Sequence, residues 1–223
     1  WTAAALHPPA LKAMVAAGSP GRWFRDWPFR WGAFLAEDYV EWVNRVSGRT
    51  YQSQSIIDWN DLHQHRHPRT MDTTLGRPMP HWQKALDHDT YDDFWHRLDI
   101  TGYDEMHIPV LHVTGWFDGC APGSFHHFHE MRDHSPVPAQ QALLVGAWGH
   151  GGACNTGRAI EGVWDLGPQA NLDLREALRR AGVAKTNDPS FKTVLRTALR
   201  GDGPNRNILA LAREGYYDGL AIL

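Results

Sequence analysis

Cysteine is scarce in this chain of 223 residues: Cys120 and Cys154 are the only two, too few for a disulfide framework. Neither has a C-x-x-C partner, which argues against structural zinc. Long apolar runs are missing as well. No stretch approaches the roughly 20 residues that a membrane helix needs, so no membrane partner is expected. Charge of one sign is not in excess: 22 Lys+Arg stand against 25 Asp+Glu, a formal net charge of -3. That balance argues against a nucleic-acid partner. The opening residues carry no basic segment and no recognisable cleavage site, so a cytoplasmic location is favoured over export. Histidine and tryptophan are absent from Glu176 to Leu223, although the chain holds 14 His and 11 Trp. That final stretch has 8 Lys+Arg against 5 Asp+Glu, and reads as an atypical helical tail over 176–223.

What is present suffices for a packed core: 42% of residues are hydrophobic and 21% charged. Residues 2–17 read as an Ala-rich helix that Gly18-Ser19-Pro20-Gly21 stops. Trp31, Phe34, Leu35, Tyr39, Trp42, Val43 and Val46 fall on one helical face, with Gly48 as a stop. Residues 49–80 are polar and Pro-punctuated, with one short helix expected around Ile56 to Leu62. Trp82 to Leu98 reads as one or two helices broken near Asp87-His88-Asp89. No part of 20–100 alternates with period two, so this block reads as a helical insertion.

The character changes at Ile108. Val110 to Gly115 is a short apolar run, Ser124 to Asp133 can be helical, and Gln141 to Gly146 is a second apolar run. Strand, helix and strand in that order predict a βαβ unit with parallel strands covered on both faces. The fold class is therefore α/β. Helices are expected at Leu172 to Ala181, at Phe191 to Leu199 and from Asn207.

Reactive groups of open parallel sheets sit just past the carboxyl ends of strands. Past the first strand stands Gly115-Trp116-Phe117-Asp118-Gly119, and past the second stands Gly146-Ala147-Trp148-Gly149-His150. An acid and a histidine thus occupy equivalent places. An Asp that accepts the imidazole Nδ1–H fixes the tautomer and leaves the other nitrogen to act as a base. The order acid then histidine is that of the last two members of an α/β-hydrolase triad. The first member, a serine in G-x-S-x-G, has no counterpart in the sequence.

The segment Ile108 to Gly119 resembles the acid-bearing strand of the CocE/NonD serine hydrolases, which include cocaine esterase, α-amino-acid ester hydrolases and Xaa-Pro dipeptidyl-peptidase relatives. Leu143 to His150 is similar to that family's histidine segment, with Ala147 where proline is usual. His88 to Trp95 and Leu166 to Arg175 resemble the segments before the acid strand and after the histidine. The resemblance implies a partial α/β-hydrolase: a core at 1–19 and 101–175, holding the C-terminal half of the parallel sheet, and a helical cap at 20–100. It implies catalytic roles for Asp118 and His150, and no cofactor. It also implies a small-molecule ester or amide, or a peptide, as substrate. Trp116 and Trp148, beside the acid and base, are candidates to line an aromatic substrate pocket.

Trp1 to Pro9 looks like the helix that follows the family's nucleophile elbow. The expectation is a fragment whose serine, and whose oxyanion donors, lie ahead of Trp1. Such a chain alone would be nearly inactive. The alternative is an inactive remnant, or half of a split hydrolase that pairs with an N-terminal half or with itself as a homodimer. Cys120 and Cys154 could form one bridge or none, and Cys120 as the nucleophile is the weaker idea. His63, His65 and His67 read as a solvated loop rather than a metal site, and His127 and His129 alternate in the same way. No metal is expected.

Overall fold

Pro8 and Pro9 cut the opening Ala-rich stretch in two. The computed structural model describes residues 1–48, 57–65, 67–150, 160–161, 164–165 and 221–222. Its first helix, α1, covers only Thr2–Ala5. Proline lacks the N–H and fixes φ, so the helix cannot run on. Met14–Ala17 is then a strand, β1, not the end of a helix. Its apolar side chains pair instead with a distant strand, so tertiary pairing overrides the helical propensity of the alanines. The chain divides into two units: Trp1–Gly21 with Ile100–Leu223, and Arg22–Asp99.

The second unit is mostly helical. Phe29–Arg30 (β2) and Ala33–Phe34 (β3) make a short antiparallel hairpin. Trp31 sits at its tip with φ +53° and is 97% exposed, so the helical stripe does not begin there. The helix α2 covers Ala36–Val46 and ends at Ser47-Gly48. Tyr39, Val40 and Val43 face inward, whereas Trp42 and Val46 remain substantially exposed. Four shorter helices follow: α3 (Trp59–His65), α4 (Met71–Thr74), α5 (Pro80–Asp87) and α6 (Asp93–His96). His63 and His65 therefore lie on a helix rather than in a loop.

The core of this unit joins Phe29, Tyr39, Val40, Val43, Leu62, Met71, Met79, Trp82, Ala85 and Trp95. Each large side chain so buried contributes about 1.5–3 kcal/mol. Two buried aspartates and two buried indoles of this unit are paired. Asp26 accepts from the Arg22 backbone N–H at 2.9 Å and from its guanidinium at 2.9 Å. Asp72 accepts from the N–H groups of Thr73 (2.8 Å) and Met79 (3.3 Å). The indole N–H groups of Trp82 and Trp95 donate to the carbonyls of Pro68 (2.8 Å) and His88 (2.7 Å).

In the first unit, β4 (Val110–Phe117), α7 (Ala121–His134) and β5 (Gln141–Gly149) form the βαβ unit. The strands β4 and β5 are parallel, from Val110 opposite Gln141 to Phe117 opposite Gly149, with one irregularity between Gly115 and Phe117. On the other side of β4, β1 pairs in parallel with Met14 opposite Val110. Two-residue strands β6 (Ile160–Glu161) and β7 (Trp164–Asp165) pair with each other, and β8 (Ala221–Ile222) adds antiparallel to β5. The sheet order is β1-β4-β5-β8. Apart from β8, the tail, its three expected helices and any Cys120–Cys154 pairing fall outside the described residues. Among those residues no helix is long and apolar enough to cross a membrane.

The face of α7 that meets the sheet includes Ala121, Ser124, His127, Phe128 and Met131. Two of these are polar, which is why its apolar pattern is faint in the sequence. His127 is fully buried beside Trp1, whose ring stacks on it at 4.1 Å. Its Nε2–H donates to the Pro20 carbonyl at 3.2 Å, and its Nδ1 accepts from the Tyr103 hydroxyl at 2.8 Å. This bonding suits the neutral ring, and burial lowers its pKa to about 3. His112, on β4, is equally buried, and burial holds it to about 4 with the Gln141 side chain opposing.

Candidate active site

The parallel register delivers the site. Phe117 stands opposite Gly149, so the residues that follow, Asp118 and His150, leave neighbouring strand ends side by side. Each sits where a strand stops and the chain turns. The Asp118 carbonyl accepts from the Ala121 N–H at 2.9 Å and its own N–H donates to Gly115 at 3.1 Å.

The carboxylate of Asp118 is wholly buried, and the imidazole of His150 is 60% exposed. Asp118 Oδ1 lies 3.0 Å from His150 Nδ1. An ionised carboxylate can only accept, so Nδ1–H donates and the other nitrogen is left free of this bond. Asp118 Oδ1 also accepts from the Cys120 N–H at 2.8 Å, and Oδ2 accepts from the Thr114 hydroxyl at 3.2 Å. Three donors therefore fix a carboxylate that burial alone would disfavour. The hydrogen bond to Asp118, then one to the Cys120 side chain, raise the His150 pKa to about 10 against the opposing effect of burial. A ring so held keeps its proton more firmly than a free imidazole does.

Gly18 forms the third side of this arrangement. It follows β1 with φ +54°, and its N–H donates to Val113 at 2.8 Å. A Cβ there would stand 3.0 Å from His150 Cε1, 3.1 Å from Nδ1 and 3.2 Å from Asp118 Oδ2. Both the backbone conformation and the crowding call for glycine. The adjacent Ser19 is tied to α7: the Ser124 hydroxyl lies 3.3 Å from the Ser19 N–H and 3.3 Å from its carbonyl.

The two flanking tryptophans differ. Trp116 is 54% exposed, with its ring 6.0 Å from that of Phe125. Trp148 is 1% exposed and packs with Val113. A Cβ on Gly146 would stand 1.9 Å from its ring, and one on Gly115 would stand 1.8 Å from its carbonyl oxygen. These glycines thus make room for Trp148 in the core. The expectation that Trp148 faces substrate is corrected on that ground: an indole so enclosed presents no surface to a ligand.

Sequence reasoning misses Gly18 and Thr114 at the site, whereas it names Cys120 only as the weaker candidate for a nucleophile. Gly18 read only as a helix stop, because the strand before it was read as helix. Thr114 and Cys120 lie four residues before and two after the acid, and that closeness was their one sequence signal. Among the described residues, two groups of side chains bring metal-ligating atoms within 4.8 Å of one another: Asp118, Cys120 and His150, and the more exposed Glu37, Glu41 and His63.

A parallel sheet with helices, and an acid and histidine joined at its strand ends, define an α/β-hydrolase-like protein. The family model of the X-Pro dipeptidyl-peptidase (S15 family) matches residues 1–152, and the chain belongs to that family. No curated protein matches it.

Proposed function

We propose that this chain carries the acid and the base of a serine hydrolase that cleaves esters or amides through an acyl-enzyme. The observation that supports this reading is the 3.0 Å bond between buried Asp118 and His150. In it His150 takes the proton from a serine hydroxyl and returns it to the leaving group, while Asp118 holds the ring and stabilises its charge. The serine is supplied from outside these 223 residues, since no G-x-S-x-G occurs in them. Residues 22–99 are a helical insertion in the hydrolase core, and Trp116 offers its exposed ring to the acyl group. The substrate is a small ester, an amide or a peptide.

The test is made on the protein translated from the whole reading frame that encodes this chain. A fluorophosphonate should label a serine outside Trp1–Leu223, and hydrolysis of an activated ester should fall by about 10³-fold or more in His150→Ala. A rate indifferent to His150→Ala overturns the proposal. So does labelling of a serine within the chain. A protein that neither hydrolyses nor labels would instead be an interaction module built on a hydrolase frame.

A further inference from the structure

We propose that Asp118, Cys120 and His150 form a binding site for a thiophilic divalent cation, zinc foremost, which occupies the dyad reversibly. Their ligand atoms, one oxygen, one sulfur and one nitrogen, lie within 4.8 Å of one another. A tetrahedral zinc ion with bonds of about 2.0–2.3 Å places its ligand atoms about 3.3–3.8 Å apart. The Asp118 Oδ1 to His150 Nδ1 separation of 3.0 Å is thus close to one edge of such a site, and a small outward swing of the imidazole completes it.

The three side chains differ in freedom in a way that suits capture. Asp118 is immobilised by the Thr114 hydroxyl and the Cys120 N–H. Cys120 is fixed through that same N–H and opens α7 as its N-cap. His150 is the exposed partner, with its ring open to solvent, so it can move onto an arriving ion. The donor set of thiolate, imidazole and carboxylate fits zinc or cobalt rather than magnesium or calcium, which prefer oxygen alone. Three protein ligands leave a fourth position for water. On binding, the Cys120 thiol proton and the His150 Nδ1 proton both pass to solvent, Nε2 keeps its own proton, and the nitrogen that bonds the metal no longer donates to Asp118.

The proposal uses residues of the proposed dyad, and on that reading the ion would be an inhibitor. Its evidence is metal binding, so it can fail while the hydrolase reading survives, and the reverse. The full chain is freed of metal with a chelator and titrated with zinc, and with cobalt as a spectroscopic substitute. About one equivalent should bind, and cobalt should give the near-ultraviolet absorption of a thiolate–metal bond. Cys120→Ser should abolish that absorption and weaken zinc by about tenfold or more. His63→Ala should change neither, since it belongs to the separate Glu37, Glu41 and His63 group.

A second measurement needs no variant. Saturating zinc should slow alkylation of Cys120 by iodoacetamide, read by peptide mass, about tenfold or more. Persistence of the thiolate absorption in Cys120→Ser, loss of binding in His63→Ala, or an alkylation rate indifferent to zinc would overturn the proposal.

Discussion

Gly18 approaches His150 so closely that a single added carbon would stand 3.0 Å from the ring. The residue after β1 and the residue after β5 are thereby coupled, although β4 lies between their strands. The dyad thus depends on three strand ends rather than two. Gly18→Ala should cost about 1–2 kcal/mol for the left-handed backbone alone. It should also displace the imidazole from Asp118. The His150 pKa, followed by NMR, should then drop from about 10 toward the ordinary 6.5. An unchanged titration in a folded Gly18→Ala protein would show that the ring is not held from this side.

The bond between Asp118 and His150 has a pH signature. His150 has a folded pKa raised from 6.5 to about 10. Its contribution to stability is therefore fully present below pH 6.5 and is lost as pH rises through about 10. Asp118→Asn removes the negative charge that sustains it. The difference in melting temperature between parent and Asp118→Asn should be largest below pH 6.5 and should shrink steadily into alkaline solution. A difference that grows with pH would refute the assignment.

His112 and His127 act in the opposite direction. Both are buried, with pKa values lowered to about 4 and about 3. The unfolded chain binds protons below pH 6.5 where the native protein does not, so stability falls as pH drops. Between pH 7.5 and 5 the loss should be about 2 kcal/mol for each ring. Urea unfolding at pH 7.5 and pH 5 measures it, and His112→Leu should remove about half of the pH dependence.

Gly146 and Gly115 accommodate Trp148 at distances no Cβ can share. Gly146→Ala should destabilise by about 1–3 kcal/mol or more through forced repacking. Gly146→Ala combined with Trp148→Leu should recover part of that loss. Chemical denaturation of the single and double variants reads the coupling.

The βαβ unit was legible because its two strands are near-continuous apolar runs and its reactive residues stand just beyond them. The same was not true of β1. Met14, Val15, Ala16 and Ala17 suit a helix when read alone, and only their pairing with Val110 to Val113 makes them a strand. Trp31 continued a helical stripe on paper, yet it occupies a hairpin tip because Gly32 and a left-handed backbone turn the chain there. Asp118 and His150 could be paired from sequence because each stands just past the end of one of two neighbouring parallel strands. Gly18 could not, because its approach to the imidazole is set by contacts from a segment 132 residues away in the chain, 150 minus 18. Trp148 misled for a related reason: adjacency to a functional residue does not say on which side of the sheet an indole lands.

The pairing of β1 with β4 also bears on how the molecule reaches this state. Met14 and Val110 meet across 96 residues, 110 minus 14, whereas Val110 and Gln141 meet across 31, 141 minus 110. Closing the larger loop carries the greater entropic penalty. Assembly should therefore begin with β4, α7 and β5, which can zip locally, and β1 should dock late. Until it does, the edge of β4 is bare, and a nascent chain is most vulnerable to sticking to its neighbours in that interval.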